Sequence, residues 1–298
     1  MQHLGLGALY YEYNRYHEPR LRVQSGETIR VDTEDAFSGQ IRTNDDRRDR
    51  VKMPKSNPQT GPIFVENAQP GDTLAVHIES IEPLIGQCAT RTSDPKQLCE
   101  WLGDDCPHGT HVCPIDNGQI QWSRQLSIPY EPMLGCIGTA PAWGVPTTIP
   151  AGPHGGNLDL VEVRPGSVVY LPVEVDGAYL YLGDAHAAMG HGELGASGLE
   201  MPASTVLRVE LIKHKLTKHV RIETTDELVA TATGCPMERA IAEAYSRLIL
   251  WLEEDYGWNR WRAYDLLTHV GKISVGYYAI GTVGAKIAKH YVELADND

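Results

Sequence analysis

Between Tyr181 and Glu200 the chain sets Asp184, His186, His191, Glu193 and Glu200 among glycines. Carboxylates and imidazoles bind divalent ions and carry protons, and glycine lets a backbone approach a ligand closely. Such a stretch is a poor way to fill a core and a good way to build a site, although Asp and Gly are also ordinary turn residues. A second polar group, His154, Asn157 and Asp159, precedes it. If that segment is extended, Asn157 and Asp159 point to one face, and Asp184 and His186 repeat the same spacing. Convergence of the two pairs would gather two carboxylates and up to two imidazoles. Asp159, Asp184, His186 and His154 are therefore the candidate ligands of a divalent metal, with zinc favoured by histidine and small oxygen ligands. Glu193 and Glu200 compete for the role of general base. Glu193 ranks first because backbone can close around it inside the loop, and burial raises a carboxyl pKa towards neutrality. Asp35, beside Phe37 and Gly39, is a further catalytic candidate, its other reading being a turn acid.

Nucleophile chemistry is poorly supported. No Gly-x-Ser-x-Gly elbow is present, and Cys136 in Gly135-Cys136-Ile137-Gly138 has no local base, which reads as a buried structural thiol. The glycines from Gly276 to Gly284 lack the spacing of a nucleotide fingerprint. Cys106, His108, His111 and Cys113 sit at short spacing, but match no standard zinc finger. Thiols on a surface excursion are the preferred reading.

The elements that must position these residues are mostly strands. Gly26 to Val31, Gly71 to Val76 and Gly166 to Leu171 each put a turn glycine before an apolar run. Thr205 to Leu211 alternates apolar and other residues, as a half-buried strand does. The acid- and histidine-bearing loop follows a β-like run, Val168 to Leu182, of which Val168 to Val173 reads as buried on both faces. Short strands between Gly/Pro turns predict a mainly β protein with a sandwich or barrel-like body. Helical spacing appears late, at Met237, Ile241, Ala244, Leu248 and Leu252 after Pro236 at a first helical position, and at Ala263, Leu266 and Leu267 after a capping Asn259. The expected division is a β-rich catalytic body over 1–220, with an irregular insertion at about 88–122, and a smaller α+β region over 221–298 packed on it.

Length and charge bound the rest. A chain of 298 residues can bury a large core. A net charge of -13 argues against nucleic-acid binding. No run approaches the roughly 20 apolar residues of a membrane span, and the first residues lack a basic leader with an apolar stretch. Six cysteines in a chain of this size read as reduced thiols. A cytoplasmic protein without membrane or nucleic-acid partners is expected.

The motifs resemble those of the acetamidase/formamidase family. Gly183-Asp184-Ala185-His186-Ala187-Ala188-Met189-Gly190-His191-Gly192-Glu193 is similar to that family's Gly-Asp-x-His-Ala-Ala-x-Gly-Asp-Gly-Glu, with Glu200 seven residues on. Gly155-Gly156-Asn157-Leu158-Asp159, Gly61 to Leu74, Asp32 to Ile41 and Gly135 to Pro141 resemble further elements, in the same order. Two features depart from the pattern: His191 stands where the family usually has Asp, and the segment from Cys88 to Trp122 has no clear counterpart. The resemblance implies an amidohydrolase, and a homo-oligomer, that cleaves a small aliphatic amide of formamide or acetamide type to carboxylate and ammonia. In that reading a metal assists water attack, Glu193 is the base, and Asn157 or backbone N–H groups of the Gly183 to Gly195 loop hold the oxyanion. A metal-free mechanism through Glu193 is the variant. Two other functions compete: a ligand-binding protein on the same fold, with His191 marking lost catalysis, and a hydrolase of another non-peptide C–N bond.

Overall fold

The computed structural model describes residues 1–92, 96–105 and 109–293. Two large sheets form the body. The first has nine strands, and its centre is antiparallel: Thr28–Thr33, Ala203–Ile212, Thr73–Pro83 and Val168–Pro172 lie side by side. The second is built around Met133–Thr139, Leu180–His186 and Gln59–Val65. One continuous apolar cluster joins them, with Ile29, Val31, Leu74 and Val76 from the first sheet and Ile63, Leu134, Ile137 and Leu182 from the second. Burying both inner faces against each other is what period-2 strands require, so the expected mainly β sandwich is present.

The turn-glycine segments all become strands of the first sheet. The run Val168 to Leu182 resolves into two strands, Val168–Pro172 and Leu180–His186, which belong to different sheets. Val168 and Tyr170 are half-buried, so that first strand is not closed on both faces. The turn between them carries the chain from one layer to the other, and the second strand ends in the polar site.

Residues after 220 extend the first sheet through Arg221–Glu223, Glu227–Thr233, Thr282–Ala288 and Lys272–Val275. The helix Met237–Tyr256 lays Ala240, Ala244, Leu248, Trp251 and Leu252 onto that extension and forms a second apolar cluster with it. Pro236 is the cap of this helix rather than its first residue. Asn259 caps the helix Arg260–Val270, its side chain accepting from the backbone N–H groups of Trp261 and Arg262 at 3.0 and 3.2 Å.

The segment from 88 to 122 differs from the irregular excursion expected. Gln87–Thr92 pairs in register with Gly109–Asp116, which continues into Gln119–Gln121 and Ser127–Pro129. Cys88 and Cys113 face each other across the first pair and are buried, as is Ile120. These thiols are core residues, not surface ones. Cysteine packs as a small hydrophobe, and counting it as polar hides the strand alternation. Cys106 and His108 lie outside the described residues. His111 Nε2 lies 2.8 Å from the backbone oxygen of Trp122.

Candidate active site

Strand register assembles the centre. Glu200 pairs with His186 across the short strand Glu200–Met201, and directly opposed residues share a face. Cys136 pairs with Asn157 on one side and with Gly183 on the other. The two i, i+2 pairs expected to converge do so. Asp159, His186 and Glu193 offer ligand atoms within 4.8 Å of one another, and so do Asp184, His186 and Glu200. All five residues are buried.

Close approach is possible because two residues carry no side chain. A Cβ at Gly135 would meet Asp159 Oδ1 at 2.6 Å and Asp184 Oδ2 at 2.7 Å. A Cβ at Gly198 would meet Cγ and Nδ1 of the His186 ring at 2.5 Å. The backbone is also held in an unfavourable region: Asp159, Asp184 and Glu193 have φ of 48°, 58° and 44°. Non-glycine residues rarely adopt such angles, and clusters of them mark functional sites.

The polar accounting is incomplete at the centre. Both carboxylate oxygens of Asp159, both ring nitrogens of His186 and Oε2 of Glu200 are buried without a hydrogen-bond partner among the described residues. His186 Nε2 lies 3.3 Å from Glu200 Oε2 and 3.6 Å from Asp184 Oδ1, close enough for charge attraction but not in hydrogen-bond geometry. Buried unpaired polar atoms are costly. Burial, then the charges of Glu193 and Asp184, push Asp159 well above the usual carboxylate range. Burial raises Glu200 as well, and pushes Glu193 up to about 8. Burial opposes a charge on His186, but Glu200 and Asp184 more than offset it, so the ring is basic for an imidazole. Protons and a cation compete for these atoms.

Asn57 completes the polar wall. Its Nδ2 donates to Asp184 Oδ2 at 2.7 Å and to Asn157 Oδ1 at 3.1 Å. Cys136 Sγ donates to the same Asn157 oxygen at 2.9 Å. Burial, with Asp184 and Asp159 nearby, keeps this thiol protonated, which agrees with a structural thiol. Asn157 Oδ1 is thus occupied, and Asn157 lines the adjoining cavity. That cavity, of about 180 Å³, is bounded by Asn57, Asn157, Asp184, Glu193 and Glu200 and by Arg48, Arg91 and Tyr277. Glu193 also lines an open groove on the far side of its loop, beside His191 and Leu194.

Two candidates stand apart. His154 belongs to neither ligand group. It packs edge-on against Tyr13 at 4.9 Å between ring centres, and burial lowers its pKa to about 4. Asp35 spends its oxygens on a turn: Oδ1 accepts from the N–H groups of Phe37 and Gly39 at 2.9 and 3.1 Å, and Oδ2 accepts from Arg42 at 2.7 Å. Its neighbours Ala36 and Phe37 line the cavity instead. Asn57, Arg48, Arg91 and Tyr277 were not among the residues picked from sequence. The Asn57-Pro58 step is a turn signal that could have drawn attention to Asn57, and nothing local marks the other three.

A two-layer β body holding a buried carboxylate–imidazole centre at the end of one strand is the class that fold and site define. Within that class the chain belongs to the Acetamidase/Formamidase family, whose sequence profile matches residues 9–147 and 144–231. The chain is similar in structure to an acetamidase from Yersinia enterocolitica, with a TM-score of 0.91, 32% identity and coverage of 98% of this chain and 93% of that one. It is 27% identical to an acetamidase of Mycolicibacterium smegmatis, over 67% of this chain and 66% of the relative. It is 26% identical to a formamidase of Methylophilus methylotrophus, over 70% and 65%. The chain spans 64% to 66% of the length of the curated relatives it matches.

Proposed function

We propose that the protein hydrolyses a small aliphatic amide to a carboxylate and ammonia. The carrying observation is the set of orphaned buried atoms on Asp159, His186 and Glu200, in a family whose named relatives are amidases. Two overlapping groups, Asp159–His186–Glu193 and Asp184–His186–Glu200, offer buried oxygens and one imidazole close together, which suits a divalent cation. Asp184, His186 and Glu200 would hold it, with Asp159 adjacent, which moves Glu200 from the base to the ligand set. Bound there, a divalent ion polarises a carbonyl and acidifies water, and zinc suits these ligands.

The chain's own residues do the rest. The cavity, of about 180 Å³, has room for a compact substrate. Asn157 Nδ2 donates to the carbonyl oxygen as negative charge develops on it. Its orientation is fixed by Asn57 and Cys136, which hold the other end of the same amide. Glu193, with a pKa near 8 before any cation is bound, can take a proton from attacking water and return it to the nitrogen. That return lets nitrogen leave as ammonia rather than amide ion. Its place on the wall of the open groove supports exchange of that proton with solvent.

The same reading places the chain in the cytoplasm as a homo-oligomer. Cys88 and Cys113 as facing free thiols suit a reducing compartment, and exposed Trp101, Trp143 and Trp261 supply apolar surface for association. No helix among the described residues is long and apolar enough to cross a membrane.

The test is ammonia release from formamide, acetamide and propionamide by metal-replete protein and by the same protein after exhaustive chelation. Turnover that is lost on chelation and returns with a divalent ion is expected. Tight amide binding without ammonia would sink the hydrolase reading and favour a binding protein.

A further inference from the structure

The cavity wall carries charges of both signs. Asp184, Glu193 and Glu200 line it together with the neighbouring cations Arg48 and Arg91. Strand geometry explains Arg91. Ala89 lies opposite Glu200 in register on the strand Gln87–Thr92, and side chains alternate along a strand. Ala89 and Arg91 therefore share one face and Thr90 takes the other. Accordingly Arg91 borders the cavity and Thr90 the more open groove.

These arginines do not simply neutralise the acids. Arg48 donates to Ser56 Oγ at 2.6 Å and to the backbone oxygens of Met53 and Lys55 at 3.3 and 2.5 Å, and its Nε is buried without a partner. Arg91 has no ion pair or side-chain hydrogen bond among the described residues. Arg50, exposed nearby, adds a third cation; burial and its repulsion press both guanidinium pKa values below the ordinary arginine value. Glu200 and Glu193 lie within charge-attraction range of Arg91, yet neither pairs with it directly, so its N–H groups are open to a bound anion.

We propose that the substrate is an amide with a carboxylate at its far end, a monoamide of a short dicarboxylic acid. Arg91 grips that carboxylate, and Arg48 adds charge and its free Nε–H. The amide end lies among Asn157, Glu193 and the ligand set. A cavity of about 180 Å³ is smaller than the roughly 300 Å³ or more of drug-sized sites, so the spacer is a few methylenes at most. This substrate class rests on the hydrolase reading above.

The experiment compares oxamate, malonamate and succinamate with acetamide, propionamide and butyramide by ammonia release, using metal-replete wild type, Arg91→Gln and Arg91→Lys. The quantity read is the ratio of kcat/KM for each anionic amide to that of its neutral counterpart. Wild type is expected to favour one anionic amide. The ratio for that amide should fall by about tenfold or more in Arg91→Gln and recover in part in Arg91→Lys. Wild type favouring neutral amides throughout, or a ratio untouched by Arg91→Gln, overturns the anionic substrate while leaving the hydrolase intact. No ammonia from any of the six overturns the hydrolase reading, and this substrate class with it.

Discussion

Two buried polar clusters begin three residues apart in the chain and end in opposite states. Asp159 enters the centre described above, where its two oxygens find no donor. Glu162 enters a cluster in which every charge is met. Its Oε1 accepts from Lys286 at 2.8 Å and its Oε2 from Ser274 at 3.0 Å, and Lys286 also reaches Glu227 at 3.0 Å. Ser274 in turn lies 3.0 Å from His191 Nδ1. Burial opposes the charge on Lys286, yet Glu162 and Glu227 outweigh it and raise its pKa. Both clusters are acidic and both are buried. Only one meets its acids with direct hydrogen bonds, and the difference separates a strut from a candidate site: the satisfied cluster ties the C-terminal strands to the body, and the other leaves buried oxygens of Asp159 and Glu200 without a donor among the described residues.

Substitutions can break this contrast. The largest effect is expected from His186→Ala, since His186 belongs to both ligand groups. Metal content should fall to near zero, and kcat/KM by about 10³-fold. Full occupancy in that variant, measured by elemental analysis, would take His186 off the ligand list.

Lys286→Met should do the reverse. It strands Glu162 in the interior and should cost about 3 kcal/mol of unfolding free energy, read by urea titration, with metal content unchanged. A variant as stable as wild type would mean that the satisfied cluster is not a strut.

Glu193→Gln sharpens the boundary between the overlapping ligand groups. As proton carrier, Glu193 should be needed for rate and not for metal, so kcat should drop by about 10²-fold at unchanged occupancy. Metal loss would instead make it a ligand. The same variant carries a pH signature in chelated protein. The folded pKa of about 8 lies above the ordinary glutamate value of 4.5, so ionisation is disfavoured in the fold. Its stabilising contribution is complete below about pH 4.5 and is lost as pH rises through 8. The Tm of chelated wild type should therefore fall between pH 5 and pH 8.5, and fall less in Glu193→Gln. Parallel curves for the two proteins would show that Glu193 is not the group responsible.

The smallest effect is expected at His191. Its ring is exposed and touches the satisfied cluster through Ser274, two residues from Glu193. An aspartate there adds a like charge near Glu193, so its pKa rises and the acid limb of kcat/KM moves to higher pH by a few tenths of a unit. Superimposable pH profiles would leave the substitution without functional meaning.

What could be read in the sequence follows from distance along the chain. Asp184, His186, Glu193 and Glu200 fall within one turn-and-strand stretch, so their chemistry is visible as a local cluster. Asn157 and Asp159 are visible by spacing. Asn57, Cys136 and Arg91 enter through cross-strand register and loop packing, which no local window contains. Asp35 shows how a local turn competes with a site role: an acid followed at two and four residues by turn N–H groups forms an Asx-type turn, and the nearby Arg42 completes it. His154 lies outside both candidate ligand groups and packs against Tyr13, a contact with a residue far off in sequence that spacing does not reveal. The strands were legible wherever a turn glycine preceded alternation, and illegible from 88 to 122, where buried cysteine carries the apolar half of the pattern.

Gly198 exposes a limit of reasoning about sites from the chemistry of their side chains. It donates no charge and binds nothing with a side chain, yet even a methyl group there would overlap the His186 ring. The imidazole is kept in place by a hole of fixed size. Alanine at 198 would act as a wedge, moving a ligand without altering one, and the dose of displacement grows with each carbon added. A graded series at this one position would therefore tune the centre mechanically, leaving every ligating and proton-carrying atom chemically as it was.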